Sequence, residues 1–120
     1  IKLAGSVSRK DIWGALAGFD VVVLPTLWYE TSSLVLDEAF AAGTPVLASQ
    51  IGVLAEKVTD GVNGRLFPAG DAGALRQILF DILADPRLLD VWRAGIPPVQ
   101  TIGQHVREIE ELYQSTLDTV

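Results

Sequence analysis

The run Asp20-Val21-Val22-Val23-Leu24-Pro25 constrains this chain more than any other stretch. Its apolar residues are consecutive rather than alternating, three of the four are β-branched, and Pro25 closes the run before a helix has room to form. A strand that is apolar on both faces needs cover on both. That is the condition of a strand inside a parallel sheet with helices above and below it.

The flanking segments have the periods such a sheet needs. Ile1, Leu3 and Val7 bracket a short extended segment, and Ser8-Arg9-Lys10-Asp11 has the capping-box spacing that predicts a helix running to about Gly18. Thr26 to Ser33 is a polar and aromatic loop. Leu34 to Ala42 predicts a helix, ended by Gly43 as a left-handed cap with Pro45 two residues later. A strand over Pro45 to Ala48, a short helix over Val53 to Val58, turn chemistry at Asp60-Gly61-Val62-Asn63-Gly64 and a short strand over Arg65 to Phe67 follow. Asp71 caps a helix whose residues Leu75, Ile78, Leu79, Ile82 and Leu83 keep the spacing of one buried stripe. Pro86 takes the first position of another helix ending at Gly95, and Ile96-Pro97-Pro98 is a stiff connector. Val106, Ile109, Leu112, Tyr113 and Leu117 mark a last amphipathic helix.

The expected fold class is therefore α/β, a parallel sheet flanked by helices. A βαβαβαβ core covers about residues 1–70 and extra C-terminal helices cover 71–120. In such sheets ligands sit beyond the carboxyl ends of the strands, here the loops after Leu24, after Ala48 and around Gly64.

Composition removes several classes of function. Nine Lys and Arg against fifteen Asp and Glu give a net charge of -6, with no concentration of basic residues, which argues against nucleic acid as a partner. Absence of cysteine excludes a disulfide framework and a thiolate metal site, and agrees with a cytoplasmic location. No window approaches the roughly eighteen apolar residues of a membrane-spanning helix. The first residues lack the zones of a signal peptide, and Ile1 in place of an initiator Met reads as a cut within a longer chain.

Candidate chemistry concentrates on the loop after Pro25. Glu30 lies in that loop and Glu38 in the second turn of the helix after it. Helical side chains lean toward the N-terminal end, so both carboxylates can line one site. The helix N-terminus offers unpaired backbone N–H groups at Ser32, Ser33 and Leu34 for phosphate or sugar oxygens. An anion site flanked by two acceptors for hydroxyls suits a diphosphate between polyols, the chemical description of a nucleotide sugar. No basic residue lies between Lys10 and Lys57, so a cationic clamp on the diphosphate must come from elsewhere.

At this point a resemblance becomes specific. Asp20-Val-Val-Val-Leu-Pro25, Glu30 to Glu38-Ala39, Ala42-Gly43-Thr44-Pro45-Val46, Gly52, Glu56 and Asp60-Gly61-Val62-Asn63-Gly64 follow one another in an order that resembles the group 1 retaining glycosyltransferases. Gly5-x-Val7-x-x-x-Asp11 resembles the preceding strand-to-helix step, so the likeness covers essentially the whole chain. It implies a Rossmann-like, donor-binding C-terminal domain of the GT-B fold, truncated at its N-terminal side, within an enzyme that moves a hexose from a UDP- or GDP-type donor to an acceptor hydroxyl. It implies Glu30 on the donor sugar as the catalytic-site residue and Glu38 on the ribose. The amides of Ser32, Ser33 and Leu34 then approach sugar and phosphates. Neither a metal nor another cofactor is implied. The acceptor domain and the Arg and Lys that relatives place on the diphosphate would lie upstream of Ile1, so the isolated chain is expected to be inactive, and the parent to be cytoplasmic or peripheral at the inner membrane surface. Ser32-Ser33 and Gly52-Val53 depart from the family's common Phe-Gly or Asn-Pro and Gly-Gly pairs. Rival readings are a UDP-sugar 2-epimerase on the same scaffold and a non-catalytic sugar-nucleotide-binding module.

Alone, Glu30 reads as a solvated loop carboxylate and Glu38 as a helix-surface residue; the flanking blocks shift both toward donor contacts. Glu56 either touches the nucleotide or caps a short helix. Asn63 and Gly64 read as turn-formers and His105 as a surface residue. Trp13, Trp92 and Tyr113 read as packing residues. Trp28 and Tyr29 flank Glu30, either as a stacking platform or as packing for the loop. The strand order 3-2-1-4-5-6 of the complete domain leaves Val21 to Leu24 as an open edge. That edge is expected to be covered by the Ile1 segment pairing beside it or by a strand of a second copy, giving a homodimer.

Overall fold

The computed structural model describes residues 1–119. Helix α1 (Ile12–Ala17) leads to strand β1 (Val22–Leu24), helix α2 (Leu34–Ala41), β2 (Val46–Ser49), α3 (Gly52–Lys57) and β3 (Gly64–Phe67). Helices α4 (Ala72–Ala84), α5 (Arg87–Ala94) and α6 (Ile102–Asp118) complete the chain. The strands form one parallel sheet in the order β1-β2-β3, with Val46 registered on Val22 at one side and on Gly64 at the other. This is the α/β class that the apolar strand demanded.

The core is organised by β2, whose four residues are all buried. Alternate residues of a strand point to opposite faces. Val46 and Ala48 accordingly pack with Leu36, Ala39 and Phe40 of α2 and Leu54 of α3. Leu47 packs on the other face with Phe67, Ile78, Ile82, Leu89 and Trp92. Burying each such large side chain contributes about 1.5–3 kcal/mol, so these two clusters carry most of the stability. The consecutive apolar pattern has its full meaning in β2. Strand β1 lies at the edge.

Local signals set the joints. Gly43 takes a φ of 75° after α2; its N–H donates to the Phe40 carbonyl (3.0 Å) and the Thr44 N–H to the Ala39 carbonyl (2.9 Å), the paired bonds of a Schellman cap. Thr44 is buried, and its hydroxyl donates to the Leu16 carbonyl at 2.7 Å, tying α1 to the entry of β2. Asp71 caps α4 by accepting from the Ala74 N–H at 2.9 Å. Asp71→Ala is expected to cost about 1 kcal/mol through loss of this bond, measured as a shift in the chemical denaturation midpoint. No change there would mean that the cap is replaced by solvent.

Several expectations are corrected. Ile1 to Ala4 is not a strand: residues 1–8 are exposed, and Ile1 to Val7 make no backbone hydrogen bond among the described residues. A strand takes its bonds from a neighbour, and this segment lies beside none. The order is thus αβαβαβ followed by three helices, and the Ile1 segment does not cover the β1 edge, where Val23 remains exposed. The Ser8 capping box is absent too. The Ser8 hydroxyl donates to the Asp11 carboxylate and the Ser8 carbonyl closes a turn, so α1 begins only at Ile12 with Asp11 as its N-cap.

On α4 the buried residues are Ile78 and Ile82, while Leu79 and Leu83 are exposed. Each lies one residue, or about 100°, further round the helix than its buried neighbour and turns off the sheet. Pro86 is the N-cap of α5 rather than its first residue. Trp92 is buried as expected, but Trp13 and Tyr113 are exposed. Helix α6 has the expected apolar stripe and a Thr101–Gln104 capping box, yet none of its residues is buried. Its own caps and backbone bonds hold it.

Candidate functional site

The carboxyl ends of β1 and β2 open into two loops that touch. The Glu30 carbonyl, in the loop after β1, accepts the Val53 N–H at the start of α3 at 3.4 Å. Gly52 has a φ of 53°, and a Cβ built on it would lie 3.2 Å from the Glu30 carbonyl oxygen, 3.3 Å from the Glu30 nitrogen and 3.4 Å from the Tyr29 ring. On the other flank, the Leu27 side chain reaches Gly70 in the loop after β3, 3.6 Å from the place of a Cβ. The loops after β2 and β3 thus flank the segment that carries Glu30.

Glu30 and Glu38 are both half-buried, and neither side chain has a hydrogen bond or ion pair among the described residues. Two carboxylates with free acceptor capacity therefore belong to one strand–loop–helix unit. Ser33 is the N-cap of α2, extended and 7% exposed, and its side chain makes no cap bond. Ser32 and Leu34 are exposed, and Leu34 is the first helical residue. The expected amide-bearing turn at this helix start is present.

Glu56 lies on the exposed side of α3, without a side-chain hydrogen bond among the described residues. Its neighbour Lys57 instead holds Asp37 of α2 through both carboxylate oxygens, at 2.8 and 2.9 Å. Asn63 is 3% exposed and accepts the Thr59 N–H at 2.8 Å, as a turn-former does, and His105 is exposed. Trp28 and Tyr29 are 64% and 82% exposed, so the face around Glu30 is open.

Four of the nine basic side chains are committed to ion pairs, Lys57 among them. Arg65 pairs with Asp60, Arg93 with Asp90 and Arg87 with Asp85. The Arg87 guanidinium hydrogen-bonds the Asp85 carboxylate and holds its pKa below the usual range, while Asp85 raises that of Arg87. This exposed pair lies at the junction of α4 and α5. No group of three or more His, Cys, Asp or Glu that could hold a metal ion occurs among the described residues.

A separate groove of about 460 Å³ runs between α2, α3 and the Pro97–Gln100 connector, with Asp37 and Lys57 in its wall. It contains neither glutamate. The loops beyond the strands remain the better candidate because Glu30 and the α2 N-terminus lie after β1, at the end of the sheet where ligands bind, with Glu38 in the second turn of α2.

The family model described as glycosyl transferases group 1 matches residues 1–97. This chain belongs to that family. The group 1 domain is 39% identical over 95 residues to a phosphatidyl-myo-inositol mannosyltransferase of Mycobacterium leprae, covering 79% of this chain and 25% of that enzyme. It is 44% identical over 88 residues to a D-inositol 3-phosphate glycosyltransferase of Streptomyces avermitilis, covering 73% of this chain and 19% of the relative. The chain therefore spans about a quarter or less of the length of these curated relatives. Among solved structures it superposes on sucrose-phosphate synthase from Thermosynechococcus elongatus with a TM-score of 0.81 and 29% identity, over 99% of this chain and 31% of that one. The crystal structure of Anabaena HepE in complex with UDP-glucose matches with a TM-score of 0.72 and 25% identity, over 93% of this chain and 31% of that one.

One close contact in this group 1 domain was not legible in its sequence. Gly52 enters the sequence reading as one of the matching blocks and as a departure from a glycine pair, whereas the structure adds its positive φ and its close approach to Glu30. Gly52 lies three residues after β2, at the first position of α3, and the contact becomes visible only when the two loops meet.

Proposed function

We propose that this chain is the donor-binding part of a retaining glycosyltransferase that transfers a hexose from a UDP- or GDP-type nucleotide sugar to an acceptor hydroxyl. The observation that carries the reading is the pair of uncommitted, half-buried carboxylates, Glu30 and Glu38, on the loop and second turn that follow β1. Membership of the group 1 family and the likeness to a structure that holds UDP-glucose support it.

In this assignment Glu38 accepts hydrogen bonds from the ribose, and the Ser32, Ser33 and Leu34 amides face phosphate or sugar oxygens. Glu30 lies at the sugar, Trp28 and Tyr29 beside it are free to stack on ring faces, and Glu56 borders the nucleotide side. In the transfer, the bond from the anomeric carbon to the diphosphate oxygen breaks and a bond from that carbon to the acceptor oxygen forms. The acceptor proton passes to the leaving diphosphate. Cations for the diphosphate and the acceptor domain belong to the rest of the parent protein, which functions in the cytoplasm or on the inner membrane surface. The described residues contain no helix long and apolar enough to cross a membrane. The open β1 edge is a pairing site for a strand of another chain, including a second copy.

In the full-length transferase, Glu38→Ala should remove charge-assisted hydrogen bonds worth about 1.5–3 kcal/mol, weakening donor binding by about one to two decades. Titration calorimetry with a UDP- or GDP-sugar measures this directly. Unchanged donor affinity would remove Glu38 from the site.

A further inference from the structure

We propose that Gly52 is a positioning residue for Glu30: the loop after β2 sets the place of the Glu30 backbone, and through it the reach of the Glu30 carboxylate. The inference rests on the reading of Glu30 as the residue at the donor sugar, and adds a residue from a different loop to that machinery.

The segment carrying Glu30 lies outside any helix or strand, so contacts with its neighbours determine its position. Gly52 meets it on three atoms, the Glu30 oxygen, the Glu30 nitrogen and the Tyr29 ring, all within 3.2 to 3.4 Å of where a Cβ would be. The next residue, Val53, donates its N–H to the same Glu30 carbonyl. Gly52 also has a φ of 53°, the left-handed region that L side chains rarely adopt. Two independent constraints therefore require glycine here. The backbone turns left-handed to begin α3, and the missing Cβ lets Glu30 seat against it.

Contacts of this length are tight. A methyl group at position 52 must push the Glu30 backbone away by a few tenths of an ångström or distort the start of α3. A reacting group displaced by about 1 Å can lose 10²-fold in rate, so a shift of a few tenths should lose about tenfold.

The test uses the full-length transferase and the variants Gly52→Ala, Glu30→Gln and their combination. Gly52→Ala should lower kcat about tenfold with the donor KM changed less than twofold, and should shift the Glu30 amide resonance of the 120-residue chain. Added to Glu30→Gln, it should cause almost no further loss, because a displaced residue that no longer acts costs nothing more. A purely structural role would lower kcat by the same factor in both backgrounds. If Gly52→Ala does not fold, Val53→Pro serves instead. Proline is tolerated in a first helical turn; it removes the N–H donated to Glu30 and also replaces a buried side chain, so the comparison between the two Glu30 backgrounds, rather than the loss itself, is what reads the coupling. Its kcat should fall in the same direction, and again only when Glu30 is present. Normal kcat in a folded position-52 variant, or equal losses in both backgrounds, overturns the inference while Glu30→Gln remains impaired. If Glu30→Gln itself is fully active, the assignment of Glu30 fails and this inference falls with it.

Discussion

Gly64→Ala is expected to destabilise the chain by about 3 kcal/mol or more, the upper part of the range for overpacking a filled site. A Cβ at Gly64 would lie 1.9 Å from the Val46 carbonyl oxygen and 2.9 Å from its carbon, on the strand partner with which Gly64 is in register. No rotamer relieves such an overlap, because the obstructing atoms are backbone of the central strand. Either β3 moves off β2 or the pairing at its first residue is lost. For a domain of this size the melting temperature should drop by roughly 10 °C or more. Gly61, three residues earlier, is the control. It has a φ of 76° but open space around its Cβ position, so Gly61→Ala should show only the left-handed penalty of about 1–2 kcal/mol. Comparable melting curves for the two variants would mean that the strands separate more easily than their buried packing implies.

That contrast also shows where the sequence was legible. The Asp60 to Gly64 stretch reads as a turn because Gly and Asn tolerate the conformations of turns, and Gly61 and Asn63 serve as the pattern requires. Gly64 is glycine for a reason that no local pattern carries, the approach of a strand eighteen residues away in sequence. The same division holds elsewhere. Caps at Gly43, Asp71 and Thr101 depend on neighbours within a few residues; the first two could be placed from composition alone. Burial of Leu79, Leu83, Trp13 and Tyr113 depends on what stands opposite them, and a periodic stripe says only that a face is apolar. For the Ile1 segment the needed information lay outside the segment altogether, since a strand exists only as one side of a pair. The site follows this rule. Glu30 and Glu38 were visible through their spacing around one helix start, whereas Gly52 emerges only when two loops meet in space.

The distinction between binding and reaction at that helix start gives the other large effect. Glu30→Gln in the full-length transferase is expected to lower kcat by about 10²- to 10³-fold, the order found when one preorganised electrostatic partner is removed from an active site. Glutamine keeps the shape of the side chain and one acceptor oxygen, replaces the other with an NH2 donor, and removes the charge. In the ground state the sugar is neutral, and a neutral acceptor serves its hydroxyls nearly as well. As the bond to the diphosphate breaks, positive charge grows at the anomeric carbon and the ring oxygen, and only a carboxylate stabilises it. The loss should therefore fall on kcat, with the donor KM changed by less than about threefold. Glu38→Ala should show the opposite split, because ribose contacts are the same before and during reaction. Steady-state kinetics of the two variants, with single-turnover measurements to isolate chemistry from product release, separate the roles. A Glu30→Gln enzyme with normal kcat and a raised KM would exchange them, placing Glu30 in uniform donor binding and leaving the charge at the reacting carbon to be stabilised by other groups of the parent protein.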